Sequence, residues 1–139
     1  MENFDTRAIN VMIVDDDDIS NFIYRKVIES EDVAQKVIDF QQARAALDFL
    51  AKNIGKTNEL PDLVFLDINM PVIDGWGFLN EFKEKIQPKL NKNLVICMLS
   101  SSVYKEDIDR AKSYKIVNEY ISKPLTGQQV SSIVSKHFS

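Results

Sequence analysis

Short apolar runs alternate along the chain with longer segments in which apolar residues recur every three or four positions. Nearly continuous apolar runs are typical of parallel strands covered on both faces, whereas the three-to-four spacing is typical of amphipathic helices. The candidate strands are Val11–Val14, Val37–Phe40, Leu63–Leu66, Leu94–Leu99 and Tyr120–Ile121. The helical stripes are Ile19/Phe22/Ile23/Val27, Ala43/Ala46/Leu47/Leu50, Leu79/Phe82/Ile86, Tyr104/Ile108/Ala111 and Val130/Ile133/Val134.

This regular alternation of strand and helix predicts an α/β fold. We expect a (βα)5 arrangement, which is a doubly wound, flavodoxin-like sheet of five parallel strands with helices on both faces. No repeat or Pro/Gly-rich linker divides the 139 residues. We therefore expect one domain over residues 1–139, with a core from about residue 9 to about residue 137 and no second domain.

Composition and charge argue against several functional classes. The formal net charge is −4 and the basic residues are scattered, whereas nucleic-acid binding usually requires a basic patch. No segment approaches the roughly 18 apolar residues of a membrane span, and the amino terminus has no apolar targeting run. A cytoplasmic protein without nucleic-acid or membrane partners is the simplest interpretation. The single cysteine, Cys97, lies in an apolar run and is expected to be a buried core residue.

Candidate chemistry lies directly after the predicted strands. In a doubly wound sheet, ligands bind outside the carboxyl ends of the strands, near the point where the strand order reverses. Asp15 and Asp16 follow the first run, Asp67 the third, Ser100 the fourth and Lys123 the fifth. The fold therefore predicts that three acids, one hydroxyl and one amine converge on one edge of the sheet.

The acidic run Asp15–Asp18 is expected to have two roles. Asp17 or Asp18 fits the N-cap of the following helix, and the run lacks the glycine that an EF-hand calcium loop requires. Asp15 and Asp16 would instead lie beside Asp67, where two unit charges 4 Å apart repel by about 4 kcal/mol at an effective dielectric of 20. Carboxylates in this arrangement predict a hard divalent cation such as Mg²⁺.

Four segments carry a resemblance to a known family: VDD at 14–16, FLDINMPVIDG at 65–75, MLSS at 98–101 and YISKP at 120–124. Over nearly its whole length the chain resembles the receiver domain of two-component response regulators, in the stand-alone form typified by the chemotaxis regulator. The resemblance implies that Asp67 is the phosphoacceptor. It further implies that Mg²⁺ is bound by Asp16, Asp67 and the backbone carbonyl of Asn69, and by Asp15 through water.

The resemblance also assigns a switch. Lys123 would pair with a phosphoryl oxygen and Ser100 would donate its hydroxyl to another, after which the ring of Tyr120 turns inward. Asn69 and Ser102 would tune the lifetime of the phosphoryl group. The Lys123–Pro124 peptide bond is expected to be cis, as in relatives.

The implied partners are a sensor histidine kinase or a histidine phosphotransfer protein, and a downstream protein that binds the face of the fourth helix, fifth strand and fifth helix. The protein would act as a diffusible regulator or a phosphorelay intermediate without an output domain. It would catalyse its own phosphorylation and dephosphorylation but would have no separate substrate.

Two alternatives remain. A phosphorylation-independent pseudo-receiver is disfavoured by the intact set of Asp15, Asp16, Asp67, Ser100 and Lys123. A phosphatase of the haloacid dehalogenase type also uses an aspartate nucleophile with Mg²⁺. It needs a second acid two residues later, where this chain has Asn69, and a cap domain for which the chain is short.

Overall fold

The computed structural model of the protein describes residues 8–101 and 104–138. Its strands are β1 (Ile9–Val14), β2 (Ala34–Phe40), β3 (Leu63–Asp67), β4 (Val95–Ser100) and β5 (Val117–Ser122). Its α-helices are α1 (Asp18–Ser30), α2 (Ala43–Lys52), α3 (Gly75–Glu81), α4 (Lys105–Ser113) and α5 (Gly127–Phe138). A π-helical segment, Phe82–Ile86, and a 3-10 turn, Gln87–Lys89, extend α3. Within the described ranges, no helix is both long and apolar enough to cross a bilayer.

The strands form one parallel sheet in the order β2-β1-β3-β4-β5, which confirms the predicted fold. The order reverses between β1 and β3, so these two strands flank the switch point of the sheet. Val14 pairs with Leu66, and Asp67 pairs with Leu99. The carboxyl ends of β1, β3 and β4 therefore lie level with one another, and the residues that follow them share one edge.

The core has two layers, one on each face of the sheet. Along β1, Met12 and Val14 pack with α2, α3 and α4, while Val11 and Ile13 pack with α1 and α5. Because successive side chains of a strand point to opposite faces, a strand covered on both sides must be apolar throughout. This is why β1, β3 and β4 appear in the sequence as continuous apolar runs, and Cys97 in β4 is fully buried as expected.

The edge strands are longer than predicted. The apolar runs indicated residues 37–40 and 120–121, whereas β2 and β5 begin three residues earlier. Strands at a sheet edge are only partly covered and tolerate polar residues, such as Gln35 and Lys36 in β2. The apolar pattern therefore marks only the better-covered part of each edge strand.

The first helix turns a different face to the core than its apolar residues predicted. Ile19, Phe22 and Ile23 are 65%, 59% and 49% exposed, so the predicted apolar stripe is wrong at these three positions. Its fourth residue, Val27, is partly buried and packs against the core. The buried residues of α1 are instead Asn21, Tyr24 and Ile28. Their spacing is equally helical, but an amide and a phenol interrupt the apolar pattern, so periodicity alone selects the wrong face.

The other helical stripes are mostly confirmed. Those of the second, third and fifth helices are buried, although Phe82 and Ile86 of the third lie in the π-helical segment. In the fourth stripe Ala111 is buried, but Tyr104 is 69% exposed and lies before α4 as its N-cap residue. Helix α4 is thus short and has little apolar contact with the core.

Gly75 fixes the start of α3 against the end of β3. Its N–H donates to the carbonyl of Ile68 at 2.8 Å. A Cβ at this position would lie 2.7 Å from the backbone oxygen of Asp67 and 2.8 Å from the Cα of Ile68. Only a glycine allows this approach, because backbone atoms of the preceding loop cannot move aside as a side chain can.

We predict that Gly75→Ala destabilises the protein by roughly 1–3 kcal/mol, the usual cost of forced overpacking. The measurement is urea unfolding. Gly77→Ala is the matched control, because the Cβ there meets side-chain atoms and no backbone: the Cγ2 of Ile73 at 3.0 Å and the Oδ1 of Asp74 at 3.6 Å. Alanine is also favoured over glycine inside a helix by about 0.5–1 kcal/mol. Equal unfolding midpoints for wild type and Gly75→Ala would contradict this account.

Candidate functional site

Three carboxylates meet at the carboxyl edge of the sheet. Asp15, Asp16 and Asp67 each offer an oxygen atom, and these atoms all lie within 4.8 Å of one another. Asp15 and Asp67 are buried, whereas Asp16 is exposed. The structure therefore brings together the three acids that the strand ends indicated.

The backbone N–H and both carboxylate oxygens of Asp15 are hydrogen-bonded. Its backbone N–H donates to the carbonyl of Phe40 at 3.0 Å, which extends the pairing of β1 with β2. Its Oδ1 accepts from the backbone N–H of Asp17 at 3.0 Å, and its Oδ2 accepts from Lys123 Nζ at 2.9 Å. A buried carboxylate needs such partners, because an unpaired buried charge is very costly.

Lys123 is the cation of the site. Its Nζ lies 2.9 Å from Asp15 Oδ2 and 3.2 Å from Asp67 Oδ1. Its backbone N–H donates to the carbonyl of Ser100 at 2.9 Å, and its bond to Pro124 is cis, as expected. Burial lowers the pKa of Lys123, but the hydrogen bond to Asp15 and the charge of Asp67 outweigh it, so the net pKa is raised and the ammonium form is favoured.

The carboxyl group of Asp67 has a raised pKa. Burial and the negative charge of Asp15 raise the pKa of Asp67 to about 6, although Lys123 and the backbone N–H of Asn69 act in the opposite direction. Lys123 pairs with Asp15 and Asp67, and Asp16 adds a third acid nearby, so the acids of the site outnumber its ammonium group. This is the environment in which a divalent cation relieves repulsion.

The donor set suits a hard cation. All three candidate ligands are carboxylate oxygens, which Mg²⁺ prefers, and no histidine nitrogen or thiolate is among them. The excess of acids over the single ammonium group and the burial of Asp67 also fit a divalent cation. The residues present therefore fit Mg²⁺.

The last two acids of the run Asp15–Asp18 belong to the helix start. Asp17 is the N-cap of α1; its carboxylate accepts from the N–H of Ile19 at 3.1 Å and from the hydroxyl of Ser20 at 3.0 Å. Asp18 is the first residue of the helix. Asp74 caps α3 in the same way and accepts from the N–H of Gly77 at 2.9 Å. Asp17 and Asp74 thus satisfy free N–H groups at helix starts and are distinct from the three acids at the strand ends.

The remaining predicted residues lie around this centre. Ser100 is fully buried at the end of β4, next to the strand that ends at Asp67. Tyr120 is half-buried in β5, and its hydroxyl is buried without a hydrogen-bond partner among the described residues. Asn69 is exposed, and its backbone N–H interacts with the carboxylate of Asp67. Ser102 lies outside the described residues.

The sequence interpretation missed two residues of α1 that lie against the site. Asn21 donates its Nδ2 to the backbone carbonyl of Asp15 at 2.9 Å. Tyr24 is 4% exposed, and burial raises the pKa of its phenol, with smaller contributions from the charges of Lys123, Asp15 and Asp67. The spacing of these two residues with Ile28 was the available signal.

Comparison with known proteins agrees with this geometry. A family model described as the response regulator receiver domain matches residues 11–135. A two-component response regulator from Cytophaga hutchinsonii is 34% identical, with a TM-score of 0.84 and coverage of 94% of this chain and 97% of that one. The phosphorylated cyanobacterial phytochrome response regulator RcpA is 25% identical, with a TM-score of 0.71 and coverage of 93% and 90%.

A relative from a larger protein is the sensor histidine kinase CheAY of Helicobacter pylori, which is 27% identical over 128 residues. The alignment covers 91% of this chain but 14% of the kinase. The family match includes Asp15, Asp16, Asp67, Ser100 and Lys123. Receiver domains are phospho-accepting signalling domains that take phosphate from histidine kinases, and the chain belongs to the response regulator receiver domain family.

Proposed function

We propose that the protein is a signalling switch that accepts a phosphoryl group on Asp67 from the phosphohistidine of a sensor histidine kinase or histidine phosphotransfer protein, with the help of Mg²⁺. One observation carries this proposal: the buried carboxylate of Asp67 lies 3.2 Å from the ammonium of Lys123 and close to two further acids. The protein would act as a diffusible regulator or as an intermediate in a phosphorelay.

The transfer needs a nucleophile and a cation that stabilises developing charge. With a pKa of about 6, Asp67 is largely ionised at neutral pH, so a carboxylate oxygen is available to attack phosphorus. As the new P–O bond forms, the P–N bond of the phosphohistidine breaks and the imidazole leaves. Lys123, already beside Asp67, would pair with a phosphoryl oxygen.

Asp16 and Asp67, with the backbone carbonyl of Asn69, would hold Mg²⁺ directly, and Asp15 would hold it through water. When bound, the ion supplies positive charge that offsets the carboxylates and the transferring phosphoryl group. Support comes from the convergence of three carboxylate oxygens and from the elevated pKa of Asp67. No separate substrate is required, since the acceptor is part of the chain.

Phosphorylation would act on the face formed by α4, β5 and α5. Ser100 would donate its hydroxyl to the phosphoryl group, and Tyr120 would change its packing with it. Tyr120 is suited to respond because its buried hydroxyl has no hydrogen-bond partner among the described residues. The surrounding packing is light, because Ala111 is the one residue of α4 that is buried. Asn69 and Ser102 would set how long the phosphoryl group persists.

The exposed apolar residues of α1 offer the phosphodonor a place to dock. Ile19, Phe22 and Ile23 are exposed in the first two turns of the helix, shortly after Asp16 and the cap residue Asp17. Apolar residues at this spacing are what a partner helix packs against. A donor protein bound to these residues would lie beside the edge of the sheet at which Asp67 is found.

We predict that a small acyl phosphate such as acetyl phosphate labels the wild type in the presence of Mg²⁺, and that Asp67→Asn reduces labelling to background. Excess chelator should also remove labelling, because the carboxylate-rich site then lacks its balancing cation. The measurement is incorporation of radiolabelled phosphoryl group. Asp48→Asn, an exposed acid of α2, is the control and should label like the wild type. Unlabelled wild type would instead favour a phosphorylation-independent role.

A second prediction concerns stability in the absence of Mg²⁺. The pKa of Asp67 is raised from 3.8 to about 6 on folding, so the native state binds this proton more tightly than the unfolded state. The contribution of Asp67 to stability therefore falls as pH rises from about 4 to about 6, and by pH 7 this contribution has fallen by roughly 3 kcal/mol. Asp67→Asn should raise the melting temperature at pH 7 by several degrees and by much less at pH 4.5.

Thermal unfolding with and without Mg²⁺ checks this prediction. Mg²⁺ should raise the melting temperature of the wild type at pH 7, because it binds the folded state alone, and should have little effect on Asp67→Asn. If Asp67→Asn is less stable than the wild type at pH 7, the carboxylate of Asp67 is not destabilising and this account is wrong.

A third prediction separates donor docking from chemistry. The double variant Ile19→Ser/Phe22→Ser should slow transfer from a histidine kinase that labels the wild type by roughly 10-fold or more, as for the loss of an interface anchor. Labelling by acetyl phosphate should stay unchanged, because the small donor needs no docking surface. Glu29→Ser, an exposed residue farther along α1, is the control. Unchanged transfer from the kinase would refute docking at these residues.

A further inference from the structure

Asp16 is the one acid of the site whose side chain has no support of its own. It is exposed, and its carboxylate makes no hydrogen bond or ion pair with the described part of the chain. Its position therefore depends on the two peptide groups that flank it. The following peptide is fixed by the N–H of Asp17, which donates to Asp15 Oδ1 at 3.0 Å.

The preceding peptide is fixed by Asn21. The Nδ2 of this residue donates to the backbone carbonyl of Asp15 at 2.9 Å. That carbonyl belongs to the peptide bond that joins Asp15 to Asp16. Because the peptide group is planar, a hydrogen bond to its oxygen sets the orientation of the whole plane and with it the direction in which Asp16 leaves the chain.

The burial of Asn21 is not explained by stability. Its side chain is 1% exposed, and its Oδ1 is buried with no hydrogen-bond partner among the described residues. A buried polar atom without a partner is costly, and a leucine of similar size would carry no such atom at this core position. At this position the amide donates a hydrogen bond through its Nδ2, while its Oδ1 has no partner among the described residues.

We infer that Asn21 is a positioning residue for the cation site, which orients the Asp15–Asp16 peptide so that the Asp16 carboxylate faces Asp67. This inference rests on the proposed function, in which Asp16 and Asp67 hold Mg²⁺. Residues that hydrogen-bond to the groups around metal ligands tune affinity in this way, and their loss typically weakens binding by about 10–100-fold.

The chain provides a matched control in Asn53. It is also buried, and its Nδ2 donates to the backbone carbonyl of Phe49 at 2.8 Å. This hydrogen bond lies at the C-terminal end of α2, where Asn53 is the C-cap residue, and it involves none of the site acids. Replacing each asparagine by leucine removes the same kind of hydrogen bond in two different places.

The test is a Mg²⁺ titration of the full chain, followed by NMR amide shifts, together with thermal unfolding of each variant without Mg²⁺. Asn21→Leu should raise the dissociation constant for Mg²⁺ by about 10-fold while the melting temperature changes by no more than about 4 °C. Asn53→Leu should show the reverse pattern, with a lower melting temperature and wild-type affinity for Mg²⁺. Asn21→Ala, which cannot clash, should reproduce the loss of affinity if Asn21→Leu does not fold.

The outcomes separate this inference from the proposed function. If the wild type does not bind Mg²⁺, or if Asp16→Asn binds it equally well, the proposed cation site is wrong. If the wild type binds Mg²⁺ and Asp16→Asn does not, but the Asn21 variants bind it like the wild type, the positioning role of Asn21 is wrong. The same result follows if the variants at positions 21 and 53 lose affinity equally.

Discussion

Asp15 and Asp67 repel each other at the carboxyl ends of β1 and β3, and the other groups of the site offset this repulsion. Both carboxylates are buried, and Lys123 lies between them with its ammonium group within 3.2 Å of each. Burial and the negative charge of Asp15 raise the pKa of Asp67 despite Lys123, so this carboxyl group holds its proton more tightly than an exposed aspartate would. A divalent cation and a phosphoryl group would both change this balance of charge, which is the basis of the proposed switch.

The fold keeps these charges together by backbone contacts. The register of β1, β3 and β4 places their carboxyl ends level, the N–H of Lys123 is bound to the carbonyl of Ser100, and α3 begins in contact with the backbone of Asp67 through Gly75. Each contact is local, but together they make the ends of four strands meet at one point. We propose that a change of charge at Asp67 is passed through these contacts to β5, one of the elements proposed to face the partner.

Much of this arrangement could be predicted from the sequence, for identifiable reasons. The central strands are buried on both faces and must be apolar, and in a parallel sheet the acids that follow them meet at one edge. The buried face of α1 could not be predicted, because Asn21 and Tyr24 are polar side chains at buried positions and so break the apolar pattern. The backbone conformation of the loop after Asp67 could not be predicted either. Val72 has a φ of 69°, which β-branched residues avoid and which composition does not signal.

The central claim is that Asp67 itself carries the phosphoryl group. Its most direct test is to treat the acyl-phosphate-labelled protein with borohydride, which reduces an aspartyl phosphate to homoserine, and to locate the modified residue by tandem mass spectrometry. The account predicts homoserine at Asp67 alone, and only in samples labelled with Mg²⁺ present. Homoserine at Asp15, Asp16 or another acid, or at Asp67 after labelling in excess chelator, would contradict it.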